Sequence, residues 1–142
     1  MVLLFKVLGF ILIIFTTASI GFLKSAGLCN RYKKLQSIQK GISELKERIR
    51  MGGGEIDRLL TSSFHEYPIN YTFLEKGDIE ILDDFFSNVG LSDTKTEYER
   101  CEIYINLLKN KIEEANEKYR ETARLYKSIG FLSGVFICIF LL

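Results

Sequence analysis

The apolar positions of this chain follow one rhythm at its ends and another in its middle. Val7 to Leu23 read VLGFILIIFTTASIGFL, and Ser128 to Leu142 read SIGFLSGVFICIFLL, neither with a charge. A hydrocarbon core about 30 Å thick takes roughly 20 helical residues to cross. The first stretch reaches that length when Met1 to Leu4 are counted and Lys6 snorkels to the interface. The second has 15 residues, about 22 Å of helix at ~1.5 Å per residue. It becomes adequate once the preceding turn joins it or the bilayer thins. The expected organisation is an N-terminal transmembrane helix over residues 1–23, a helical domain over 24–127 and a C-terminal transmembrane segment over 128–142.

Between the ends, apolar residues recur at alternating spacings of three and four. Leu28, Leu35, Ile38, Ile42, Leu45 and Ile49 form one seam. Tyr98, Cys101, Ile105, Leu108, Ile112, Ala115, Tyr119, Thr122, Tyr126 and Ile129 form the other. This is the seam of helices packed lengthwise. Thr94 with Glu97 reads as a capping box opening the returning helix, which meets no Gly or Pro before Gly130 and so continues into the apolar end. Tethering both helices at their apolar ends makes them antiparallel. Setting Lys24 level with Ser128 pairs Leu45 with Leu108, and Leu35 with Ala115 or Tyr119. It also separates Cys29 from Cys101 by tens of ångströms at ~1.5 Å per residue, beyond disulfide reach.

Shorter elements fill the turn of this hairpin. Gly52-Gly53-Gly54 ends the first long helix. Ile56, Leu59, Leu60 and Phe64 predict a short amphipathic helix stopped by Tyr67-Pro68. Ile69 to Lys76 reads as a connection. Asp78 to Val89 predicts a second short helix with Ile79, Leu82, Phe85, Phe86 and Val89 apolar and Gly90 closing it. The fold class is all-α, an antiparallel long-helix hairpin with short tip helices, membrane-anchored at both ends.

A secretory signal would explain the N-terminus differently, but its apolar region spans about 7–15 residues and precedes a small-residue cleavage site. Here the run is longer, and Thr17-Ala18-Ser19 lies inside it. Ser25-Ala26-Gly27-Leu28-Cys29 is a poor lipoprotein site, since Leu28 stands where a small residue is wanted. The segment is therefore expected to remain as an anchor.

Net charge is only +1, but the charges are sorted. Lys24 to Arg50 holds eight basic residues and two acids; Gly53 to Glu99 holds eleven acids against Arg58, Lys76 and Lys95. Lys24, Arg31, Lys33 and Lys34 follow the first apolar stretch, and Lys118, Arg120, Arg124 and Lys127 precede the second. Basic flanks favour the cytoplasmic side, so the middle is expected to be cytosolic. Lys24, Arg31, Lys33 and Lys34 are also the membrane-proximal basic set that could meet anionic headgroups of the bilayer. They lack the aromatic interleaving of a nucleic-acid platform, and no nucleic-acid partner is expected.

Motifs for chemistry are sparse. Gly52-Gly53-Gly54 lacks the G-K-[ST] of a phosphate loop, and His65 has no second histidine for a metal pair or a relay. Cys29, Cys101 and Cys138 form no C-x-x-C pair. No catalytic residue, cofactor site, metal site or small-molecule substrate is expected. Asp78, Glu80, Asp83 and Asp84 cluster on one short helix and read as a solvated face or a docking face for a basic partner. Gly130 and Gly134 make a G-x-x-x-G, and Thr17 and Gly21 a small-x-x-x-small pair, both suited to close helix contact in lipid.

With these residues assembled, the chain resembles the stage III sporulation protein AB family of endospore-forming bacteria. Leu8-Gly9 through Gly21-Phe22 looks like the family's opening anchor, followed by a basic helix ending near Leu45 to Ile49. Leu82 to Asp93, LDDFFSNVGLSD, is similar to the family's pattern before its long helix. Tyr126-Lys127-Ser128-Ile129-Gly130-Phe131-Leu132-Ser133-Gly134 resembles its end. The likeness departs between Phe64 and Asp78, where the family usually carries about another pair of helical segments, and Glu97 replaces a frequent glutamine. The resemblance implies a non-catalytic platform subunit of a channel-like, secretion-like complex between mother cell and forespore, in the mother-cell-derived outer forespore membrane. It also implies a helical domain similar to the cytoplasmic domain of the type II secretion platform protein, docking the complex's other subunits and its cytosolic ATPase. The architecture alone would equally serve a general membrane-tethered coiled-coil adaptor of a division or secretion apparatus, or a lipid-surface module acting through Lys24 to Lys40.

Overall fold

The structure is a computed structural model that describes residues 1–52 and 54–141. Among these residues all regular elements are helical: α1 (Val2–Arg50), α2 (Ile56–Glu66), α3 (Lys76–Asn88) and α4 (Thr94–Leu141). Gly53, the middle of the glycine triplet, lies outside the described residues. Its neighbours end α1 as the sequence suggests, with Gly52 at φ +72° and Gly54 at +110°, a conformation that costs glycine little and other residues more. Gly90 closes α3 at φ +87°. The chain divides into two compact units, Met1–Cys29 with Asn116–Leu142, and Asn30–Ala115.

In the unit built from Asn30–Ala115, α1 and α4 run antiparallel. Arg31 lies across from Glu114, Gln39 Nε2 donates to the carbonyl of Ile105 at 3.2 Å, and the Lys46 ammonium sits 5.0 Å from the Tyr98 ring centre. These pairs are displaced by about one heptad from the pairing of Leu45 with Leu108 set by levelling Lys24 with Ser128. The reason is that a heptad seam repeats every seven residues. Sliding one helix by that amount leaves apolar facing apolar, so the pattern alone does not select a register.

The seam itself forms the core. Leu35, Ile38, Ile42, Leu45 and Ile49 from α1 are buried together with Cys101, Tyr104, Leu108, Ile112 and Ala115 from α4. Leu59 of α2 and Leu82 and Phe85 of α3 close over them. Phe64, Phe85, Phe86 and Tyr104 chain edge to face at centroid separations of 5.1–5.3 Å, an arrangement aromatic quadrupoles favour. α2 approaches α1 at Gly41, where the Phe64 ring occupies the space of an absent side chain.

α3 starts on a capping box: the Glu75 side chain accepts from the backbone at Asp78, and Asp78 Oδ2 accepts from the Glu75 N–H at 3.0 Å. α4 starts one residue from the expected box. Asp93 precedes Thr94 as the cap and bonds Thr96, while Glu97 reaches back to the Ser92 N–H at 3.1 Å. That hydrogen bonding holds the Asp93 carboxyl below its usual range.

In the unit built from Met1–Cys29 and Asn116–Leu142 the two helices again run antiparallel, with Phe10 tilted against Phe140 at 5.7 Å and Gly21 packed under Tyr126. Phe15, Phe22, Phe131 and Phe136 are 73–76% exposed. Both α1 and α4 contain a stretch long and apolar enough, by length and composition, to cross a membrane, with none of that stretch buried in the protein. Outward apolar surface on this scale marks a membrane or a partner.

Candidate partner-docking surface

The four acids of α3 do not act together. Asp78 is 0% exposed and accepts a bidentate pair from Arg31, Nε to Oδ2 at 2.7 Å and Nη2 to Oδ1 at 2.9 Å. The same guanidinium approaches Glu75 at 3.5 Å and Glu114 at 3.9 Å. The Asp78 hydrogen bond, opposed by burial, raises the Arg31 pKa. Asp78 thus leaves the exposed face on which the sequence placed it, and Arg31, 1% exposed, leaves the headgroup-facing basic set. The physical reason is that each neutralises the other, and a buried charge is retained only when paired and hydrogen-bonded.

Glu80 and Asp83 do stand in solvent. The Glu80 side chain is 68% exposed, with a surface contact to Lys76 at 4.0 Å. Asp83 is exposed and lies near the Tyr71 hydroxyl, whose pKa rises through burial and then the Asp83 charge. Asp84 is half committed, since its Oδ2 accepts from the buried Tyr104 hydroxyl and Oδ1 from Asn88 at 3.1 Å. Burial, then that carboxylate, pushes the Tyr104 phenol up to about 12. Of the acids singled out on α3, Glu80 and Asp83 remain as an exposed edge with only surface partners, Lys76 for the first and Tyr71 for the second.

Lys24 and Lys33 are exposed. Lys34 is tied down, donating to the Thr72 carbonyl at 2.8 Å with its ammonium 5.2 Å from the Phe73 ring centre. Among the small residues, Gly21 is buried, and a Cβ there would stand only 2.3 Å from Cδ1 and Cε1 of the Tyr126 ring. Thr17 and Gly130 line one apolar crevice of about 600 Å³ with Ala18, Gly21 and Ser133. Gly134 does not line it, and nothing stands within 4 Å of a Cβ built there.

Two further polar groups, Glu97 and Ser63, are buried where the sequence carries no mark of burial. Glu97 is 0% exposed and meets Arg100 Nη1 at 2.6 Å, while Arg100 also donates to the Asn88 carbonyl that ends α3. Glu97 thereby ties the end of α3 to the start of α4. Ser63 is buried on α2 without a hydrogen-bond partner for its hydroxyl. Glu97 gave no periodic signal, since it flanks the seam. Arg31 did, because it occupies the seam position between Leu28 and Leu35 at spacings of three and four.

Nothing among the described residues gathers a metal-binding group of His, Cys, Asp or Glu. His65 is exposed beside Asp57, Arg58, Thr61 and Ser62. Cys29, Cys101 and Cys138 are free thiols; burial, then Glu97, pushes Cys101 up to about 11, away from the thiolate that reactivity requires.

Two long helices that pair antiparallel within each unit and carry exposed, membrane-length apolar stretches, with two short helices between them, define a class of all-α proteins. The sequence model of the stage III sporulation protein AB family matches residues 6–73 and 55–142, and the chain belongs to that family. The two matched stretches overlap over 55–73, in the part of the chain where the departure from the family pattern begins. No curated protein and no solved structure matches.

Proposed function

We propose that this protein is a non-catalytic membrane platform subunit of a secretion-like channel complex between mother cell and forespore. In this reading both apolar ends insert in the outer forespore membrane, residues 24–127 lie in the mother-cell cytosol, and the helical domain docks other subunits, its ATPase among them. The observation that carries the reading is the combination of family membership with an exposed apolar, membrane-length stretch in each of the two long helices. A cytosolic helical domain on two anchors can hold partners without chemistry of its own. The docking edge is Glu80 and Asp83, which offer exposed carboxylates to a basic partner.

In a spore-forming host, deletion is expected to block development after engulfment and leave vegetative growth intact; normal spores would refute the role. Charge reversal at Glu80 and Asp83 (Glu80→Lys with Asp83→Lys) is expected to weaken co-purification with the complex's ATPase, and undiminished co-purification would remove that edge. A general coiled-coil adaptor would instead impair vegetative cells. A lipid-surface module acting through Lys24 to Lys40 would lose function on charge reversal at Lys33 alone, with insertion intact.

A further inference from the structure

The seam that builds the core is degenerate under a slide of seven residues, yet the structure holds one alignment. Leu35, Ile38, Ile42 and Leu45 still face the apolar seam of α4 in the alignment one heptad away that levels Lys46 with Ile105. Something other than the seam makes the choice.

Asp78 is placed to do so. It travels with α4, because α3 is fastened there by Asp84 on Tyr104 and by the Asn88 carbonyl on Arg100. Only five residues, Val89 to Asp93, separate α3 from α4. Its carboxylate points at α1 and is fully buried there. In the observed alignment it meets the Arg31 guanidinium through two hydrogen bonds of 2.7 and 2.9 Å. Sliding α1 by one heptad replaces Arg31 with Ile38, which leaves the carboxylate against an aliphatic chain. Sliding it the other way presents Lys24, a point charge on a flexible stem without the planar fork that fits both oxygens.

We propose that Arg31 and Asp78 are the register lock of the long-helix hairpin: their bidentate pair selects one of the heptad-equivalent alignments of α1 and α4. Apolar residues of similar volume would pack as well as a buried ion pair, and fixing register is the best-attested use of such a pair. Arg31 is a positioning residue, acting through Asp78 on where along α1 the exposed edge of α3 is presented.

The test uses full-length protein in detergent micelles, with Cys29, Cys101 and Cys138 replaced by alanine. One reporter pair, Lys46→Cys with Tyr98→Cys, reads the observed alignment, since those residues face each other. A second, Lys46→Cys with Ile105→Cys, reads the alignment one heptad away. With Arg31 and Asp78 intact, a short bis-maleimide is expected to crosslink the first pair at least about tenfold more than the second. In Arg31→Met with Asp78→Leu, the circular dichroism is expected to stay helical while the two yields come within about threefold of each other. An unchanged yield ratio in the apolar double variant would overturn the lock. Loss of helical structure in that variant would also overturn it, by showing that the pair supports the fold rather than choosing its register.

Discussion

The Phe64 ring fills the place where residue 41 would carry a side chain, with Cε1 only 2.6 Å from a Cβ built on Gly41. Glycine inside a helix is destabilising by about 0.5–1 kcal/mol relative to alanine, so an exposed site would gain from Gly→Ala. Here the added methyl collides with a packed ring, and overpacking costs about 1–3 kcal/mol. The collision wins. Gly41→Ala is expected to lower stability by about 1–2 kcal/mol, measured by urea unfolding of the protein in micelles. A more stable variant would show that α2 does not dock against α1 at this point.

The acids of α3 separate by burial. Asp78→Ala removes both hydrogen bonds to the buried Arg31 guanidinium, leaving only the longer contacts to Glu75 and Glu114, and is expected to cost about 3 kcal/mol. Glu80→Ala removes a side chain that is 68% exposed and is expected to stay within about 0.5 kcal/mol of the parent. Parallel unfolding curves decide this. Equal effects would contradict the division of the α3 acids into one buried structural residue and an exposed edge.

Two weak acids in the core give stability an alkaline limit. Cys101 rises from 9.0 to about 11 and Tyr104 from 10.0 to about 12 on folding. The unfolded chain therefore loses these protons first, binds fewer of them than the native state, and is favoured as pH climbs. From neutral pH to about 9 these two groups leave stability level, and it is expected to fall between there and about pH 12. Cys101→Ala should remove the lower part of that decline. Maleimide labelling is the direct check: Cys101 should resist it at pH 8 until denaturant is added, whereas rapid native labelling would contradict its burial.

The glycines of the apolar ends separate by their surroundings. Gly21→Val drives two methyls into the Tyr126 ring, while Gly134→Ala enters open space. The first is expected to lower the thermal midpoint in detergent by several degrees, since about 1 kcal/mol shifts a domain of this size by roughly 4 °C. The second should leave it unchanged. The reverse order would place the helix contact at the G-x-x-x-G instead.

Much of this fold is legible in the sequence because few forces determine it. Uncharged ends and a three-four alternation give the two long helices, Gly52 marks where the first of them stops, and Tyr67-Pro68 and Gly90 mark where the short helices stop. The register was not legible, since a heptad repeat is periodic and the information lies in one polar residue on the seam. Arg31 stood between Leu28 and Leu35 but read as a topology charge, as basic residues beside apolar segments commonly do. The burial of Asp78 is hidden in the sequence for the complementary reason. Four acids on one short helix look alike until the helix is docked, and which of them faces inward depends on where α3 lies against α1.

The account stands on both ends of the chain lying in lipid, and alkaline carbonate extraction of membranes from cells making the full-length protein tests this most directly. The protein is expected to stay entirely in the membrane pellet and to be released only by detergent. Release into the carbonate supernatant would contradict it.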